Sequence, residues 1–154
     1  MPKNSYSGLY GAAALALLLF AGTSSLADSV VQLDEYRGRV VYLDFWASWC
    51  APCQQSFPWM QSLKNAYERD GLTVVAVNLD RQRADADRFL SKESVNFDVR
   101  FDPQGLMAEA LKVKGMPTSI IIDRHGVMRF THIGFRPVDA PGYEAQLKLV
   151  LAEK

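Results

Sequence analysis

The chain is poor in the residues that most chemistries need. Its 154 residues include two cysteines, Cys50 and Cys53, and two histidines, His125 and His132. One cysteine pair excludes a disulfide scaffold and leaves Cys50–Cys53 as the single intramolecular bond available. No cysteine ends the N-terminal apolar run, which excludes a lipid anchor there. Net charge is also missing. The 17 basic residues balance 17 acidic ones, which argues against electrostatic capture by nucleic acid or an anionic membrane. No long basic run, glycine-rich phosphate loop, low-complexity tract or internal repeat occurs. Beyond Met1, Met60, Met107, Met116 and Met128 form no metal-binding cluster and read as core gap-fillers. Neither histidine has a partner at zinc-finger spacing. Both read as solvated residues, His125 in a turn and His132 on a strand.

A hydrophobic content of 49% and a charged content of 22% suit one globular domain with a real core. The N-terminus differs in kind. Lys3 precedes an uncharged run from Leu9 to Ala21, and Ser25-Leu26-Ala27 follows with small residues at the signal-peptidase positions. This pattern predicts a signal peptide over 1–27, cleaved after Ala27, and a domain over 28–154. The run is short against the roughly 20 residues of a spanning helix, so an uncleaved membrane anchor is the lesser alternative. Export places the cysteines in an oxidising compartment, here the periplasm.

The chemistry concentrates in Trp49-Cys50-Ala51-Pro52-Cys53, directly after the apolar run Val40–Trp46. The pair sits at an expected strand-to-helix junction. A helix start offers unpaired N–H groups and the positive dipole end, and both lower a thiol's pKa. The second cysteine, one turn on, can close or open a disulfide with the first. Half of a zinc site and an inert buried pair are the competing readings. A closed zinc site usually needs four ligands, for which His125, His132 or carboxylates would have to serve.

Periodicity places the elements. Val30–Tyr36 reads as a short strand and turn, and Val40–Trp46 as a buried central strand. A helix is expected from Ala51 to Asp70, with Phe57, Met60, Leu63 and Tyr67 on one face and a kink at Pro58. A second buried strand covers Leu72–Leu79. A helix over Arg83–Lys92, a strand at Val99–Phe101 and a helix over Gln104–Val113 follow, the last burying Leu106, Met107, Ala110 and Leu111. Thr118–Ile122 and Val127–Ile133 form a hairpin, and Ala140–Ala152 a closing helix with Tyr143, Leu147 and Val150 inward. Alternating strands and helices predict an α/β fold with a mixed central sheet flanked by helices.

The chain resembles the thioredoxin superfamily. Asp44-Phe45-Trp46-Ala47-Ser48-Trp49-Cys50-Ala51-Pro52-Cys53 is similar to that family's active-site strand and turn, Pro58 to its helix proline, and Gly115-Met116-Pro117-Thr118 to its cis-proline loop. Within it, the insert Arg81–Asp102 and the stretch Thr118–Gly126 look like the exported TlpA/ResA-like proteins. The resemblance implies a thioredoxin-like fold with a helix-strand insert before the cis-proline loop. It also implies a thiol-disulfide oxidoreductase, most often a protein-disulfide reductant needing no cofactor. Its partners would be protein disulfides, such as apocytochrome c or a copper-site protein, and a membrane electron donor. No nucleic acid is expected, and a monomer is. Two departures stand out. ResA-like proteins carry a glutamate at the position of Ser56, and the family opens with a full hairpin for which little chain precedes Arg37-Gly38.

The same resemblance assigns roles. Cys50 is the nucleophile and Cys53 the resolving cysteine. Asp44 is a buried carboxyl exchanging a proton with Cys53, against the alternative of an edge-exposed aspartate. Trp49, Ala51, Pro52, Met116 and Pro117 form the substrate-binding rim, with the backbone of Met116 facing an extended partner segment. Trp46 belongs to the core. The absence of histidine between the cysteines leans toward a reductant. An oxidase of the same fold, and a copper metallochaperone using the thiolates with a histidine, are the alternatives. A peroxidase is disfavoured, because no Pro/Thr-rich loop carries a cysteine.

Overall fold

The computed structural model describes residues 33–153, together with Met1. The expected signal segment, its cleavage point and residues 30–32 lie outside the described residues.

Strand β1 (Val40–Trp46) is buried along its whole length. It pairs in parallel with β2 (Leu72–Asn78) and antiparallel with β4 (Thr118–Ile122). β3 (Asp98–Phe101) adds in parallel beyond β2, and β5 (Met128–Ile133) pairs antiparallel with β4, giving the order β3-β2-β1-β4-β5. A central strand with both faces covered has no polar side, which is why β1 and β2 read as continuous apolar runs.

Side chains alternate across the sheet. Val40, Tyr42 and Trp46 enter one core with Phe57, Met60 and Leu63 of helix α1 (Ala51–Tyr67), Ala86 of α2 (Arg83–Leu90) and Leu147 of α4 (Ala140–Ala152). Val41, Leu43 and Phe45 enter the other, under Tyr36 and Met107 of α3 (Leu106–Ala110). Asp44 sits between Tyr42 and Trp46 and therefore faces the first core. α2 and β3 are the expected helix-strand insert.

Pro52 lies in the first turn of α1, where a missing N–H costs no helical hydrogen bond, and Pro58 lies inside the helix. A 3-10 turn at Glu68–Asp70 ends it at Gly71, whose φ of +97° suits glycine. A Cβ there would stand 2.7 Å from the Arg124 guanidinium, so Gly71 also makes room for a contact.

Residues 34–36 form a 3-10 turn, where a turn was expected at the end of Val30–Tyr36. One expectation needs correction. The helix expected over 104–113 spans only Leu106–Ala110. Gly105, at φ +72°, and Lys112, at φ +56°, bracket it with left-handed backbone. The Asp102 carboxylate accepts from Leu106 N–H (2.8 Å) and Ala108 N–H (3.0 Å), fixing the start. Leu106 is consequently 55% exposed rather than inward, while Met107 and Ala108 are buried. Among the described residues, no helix is long and apolar enough to cross a membrane.

Candidate redox site

Cys50 and Cys53 are joined by a disulfide, with their Cα atoms 5.2 Å apart. Cys50 is the N-cap of α1, in extended backbone, and Cys53 lies in the first turn. Cys50 is 6% exposed and Cys53 is fully buried, so the first cysteine is the more accessible. The first turn carries no acidic residue to offset the helix dipole. Around the pair, Trp49 is 69% exposed, Ala51 is exposed and Pro52 half-buried. Trp46 is fully buried, its ring 4.8 Å from Phe57 and 5.0 Å from Phe89.

Ser56, where the resemblance expects glutamate, is buried, and its hydroxyl donates to the Cys53 carbonyl at 2.9 Å. A local backbone bond thus fills a place that would otherwise take an ionisable group.

Asp44 is 2% exposed, which removes the edge-exposed alternative. Its Oδ2 has no hydrogen-bond partner. Burial pushes its carboxyl well above the ordinary range, because the charged form would lose its hydration without gaining a counter-charge. Such a carboxyl can give a proton in its neutral form and take one back as the carboxylate.

The Met116–Pro117 bond is cis. Thr118 Oγ1 donates to Gly115 O at 2.7 Å and Gly134 N–H to Pro117 O at 2.7 Å, pinning the loop on both sides. Met116 packs against the cluster that holds both cysteines. Met116 thus borders the same apolar cluster as Cys50 and Cys53, and Asp44, between Tyr42 and Trp46 on β1, faces that cluster.

Two features escaped the sequence reading. Asp80, just past β2, accepts from Ser48 N–H (3.0 Å), Ser48 Oγ–H (3.1 Å) and Asn78 Nδ2–H (2.8 Å). It clamps the loop that carries Trp49 and Cys50. An Asn-x-Asp at the end of a buried strand was the available signal. His132 is the second, and it corrects an expectation. It is 8% exposed rather than solvated, stacked on Tyr143 at 3.8 Å between ring centroids. Its Nε2 is 2.6 Å from Gln146 Oε1 and its Nδ1 3.4 Å from Ser119 Oγ. Burial lowers its pKa, and the bond to Gln146 only partly opposes that. His125 is exposed in its turn, as expected. Among the described residues, no three His, Cys, Asp or Glu side chains converge as metal ligands.

The Redoxin family profile matches residues 20–147. The thiol-disulfide oxidoreductase ResA of Geobacillus thermodenitrificans is 32% identical over 106 residues, covering 69% of this chain and 61% of that protein. The chain thus spans less than two thirds of the length of that relative. A Chlorobium tepidum structure, provisionally named thiol:disulfide interchange protein DsbE, is similar at 50% identity and a TM-score of 0.77. The match covers 78% of this chain and 85% of that one. StoA from Bacillus subtilis is similar at 26% identity and a TM-score of 0.62, over 71% and 83% of the two chains. With a profile match over most of its length, a thioredoxin-like five-stranded sheet, a Cys-x-x-Cys disulfide and a cis Met116–Pro117 bond, the chain belongs to the Redoxin family, in its TlpA/ResA-like thioredoxin-like group.

Proposed function

We propose that this protein is a thiol-disulfide oxidoreductase acting outside the cytoplasm, as a reductant of protein disulfides. The carrying observation is the Cys50–Cys53 disulfide at the N-terminus of α1, with Cys50 the more accessible cysteine and the buried Asp44 carboxyl, its Oδ2 unpartnered, facing the same core. In the reduced protein, the Cys50 thiolate attacks a partner disulfide, forming a mixed disulfide and expelling one partner thiolate. Cys53 then loses its proton to the ionised form of Asp44 and attacks Cys50, releasing the second partner thiolate. Trp49, Ala51 and Pro52 rim the exposed side. The backbone of Met116, held by cis Pro117, pairs with an extended partner segment as an added strand. The signal pattern at 1–27, with cleavage after Ala27, supports a periplasmic location, and two relatives' names, ResA and DsbE, support disulfide exchange. Candidate partners are apocytochrome c or a copper-site protein, with a membrane donor supplying electrons.

Trapping tests the scheme. Cys53→Ser should accumulate covalent complexes with protein disulfides, sensitive to added thiol, whereas Cys50→Ser should form none. Normal turnover by both variants would reject the proposal.

A further inference from the structure

The backbone at Met116 is bracketed by two hydrogen bonds of unequal support. Thr118 Oγ1, which donates to Gly115 O, belongs to β4, inside the sheet. Gly134 N–H, which donates to Pro117 O, follows β5, an edge strand paired only with β4 among the described residues. An edge strand has no ladder on its outer side, so side chains must help to hold its end. Ile133, the last residue of β5, is 64% exposed and gives little anchorage. The buried residues that flank the Ile133-Gly134 pair, His132 and Phe135, supply it.

Each meets a different helix. The Phe135 ring centroid lies 5.3 Å from that of Trp59 on α1. The His132 ring lies on Tyr143 of α4, 3.8 Å between centroids and 9° from parallel, and its Nε2 is 2.6 Å from Gln146 Oε1. Tyr143 also stands 6.3 Å from Trp59, which links the two anchors. A stack fixes the tilt of the imidazole and a hydrogen bond fixes its rotation, where an aliphatic side chain would fix neither. Gly134 lies between the anchors at φ +84°, and a Cβ there would meet nothing within 4 Å. It is glycine for the turn that aims its N–H at Pro117 O, not for want of space.

We infer that His132 is a positioning residue for partner recognition. Its stack on Tyr143 and bond to Gln146 tie the end of β5 to α4, so that Gly134 N–H holds the Pro117 carbonyl, and the Met116 backbone before it, ready for an incoming strand. This rests on the redox reading above. It adds that recognition of an extended partner depends on α4, which carries no cysteine and no residue of the substrate-binding rim. His132 acts on the partner only through Gly134 and Pro117. A disulfide too small to pair along Met116 should therefore not sense it.

Two oxidants, each mixed with the reduced full chain in stopped flow, separate positioning from general structure. One is an extended synthetic peptide closed by its own Cys-x-x-Cys disulfide. The other is the aromatic disulfide dithionitrobenzoate, too short to lie along Met116. His132→Leu and Tyr143→Leu should each lower the second-order rate constant for the peptide about fivefold, with that for the small disulfide held within about twofold. The double variant should lose no more than the worse single one, because both residues act in one stack. Equal losses for both oxidants, losses that multiply, or an unchanged peptide rate in folded variants would overturn the proposal. Where the leucine variants do not fold, Gln146→Ala carries the test, since Gln146 is half-buried and alanine suits a helix. It should slow the peptide about twofold and leave the small disulfide unchanged, and a wild-type peptide rate would overturn the anchor. Peptide reduction that vanishes in Cys50→Ser keeps the redox reading whichever way the anchor falls. Reduction that persists in Cys50→Ser removes both.

Discussion

At the residue scale, Asp44 is a costly choice. An aspartate within Val-Val-Tyr-Leu-Asp-Phe-Trp interrupts an apolar strand, and the fold buries it with Oδ2 unpartnered. Its carboxyl titrates above its unfolded value, which sets the sign of a stability effect. The neutral acid is tolerated fully below about pH 4, the unfolded range. As pH rises toward the folded pKa, the unfolded state ionises first and stability is lost. Urea unfolding should therefore show Asp44→Asn gaining on the wild type between pH 4 and pH 8. The gain is about 1.4 kcal/mol for each unit by which the folded pKa exceeds the unfolded one, up to the pH reached. An equal difference at both pH values would sink this account. The place of Asp44 was legible from its neighbours. The burial of His132 was not, because β5 puts apolar Ile133 on its exposed side and the polar histidine on its inner one, so apolar alternation misreads the strand's end.

At the element scale, the active loop is held from outside its own sequence. Residues 47–49 connect β1 to α1, and the Asp80 carboxylate, from the end of β2, accepts both donors of Ser48. Gln54 Nε2 donates to Ser48 O at 3.0 Å and secures the loop from the helix side. Asp80→Ala should leave the Ser48 amide and the Asn78 side chain unsatisfied, costing about 1–3 kcal/mol. Hydrogen exchange at Ser48 and Trp49 should rise more than at β1. Unchanged protection at Ser48 would show that the clamp does not hold the loop. The short α3 illustrates the same dependence. Its length is decided by the Asp102 cap and by left-handed backbone at Gly105 and Lys112, which apolar periodicity does not register.

At the scale of the whole molecule, the redox pair lies at one end of the sheet, at the C-terminal edges of the parallel strands β1 and β2. The other end is tied by arginines. Arg124 Nη2 donates to Asp70 O and Leu151 O, each at 3.2 Å, joining the ends of α1 and α4 to the β4–β5 turn. Arg129 pairs with Asp123 and with Glu153 at the end of α4. The direction of electron flow is a property of this whole assembly, through the relative stabilities of its oxidised and reduced forms. Equilibration with thiol buffers should give a potential near or below about −250 mV, in the range of thioredoxin, for a reductant fed by a membrane donor. A value near about −120 mV, that of a strong periplasmic oxidant, would reverse the assigned direction.

By itself, the sequence determined the central strands, the long helices and the cysteine pair, because these depend on local apolar period and on a contiguous motif. The register Asp44–Ser119–His132, the Asp80 clamp and the extent of α3 were decided only by the tertiary structure. Each depends on which residues far apart in the chain meet across strands or at a helix start, and no local spacing encodes those meetings.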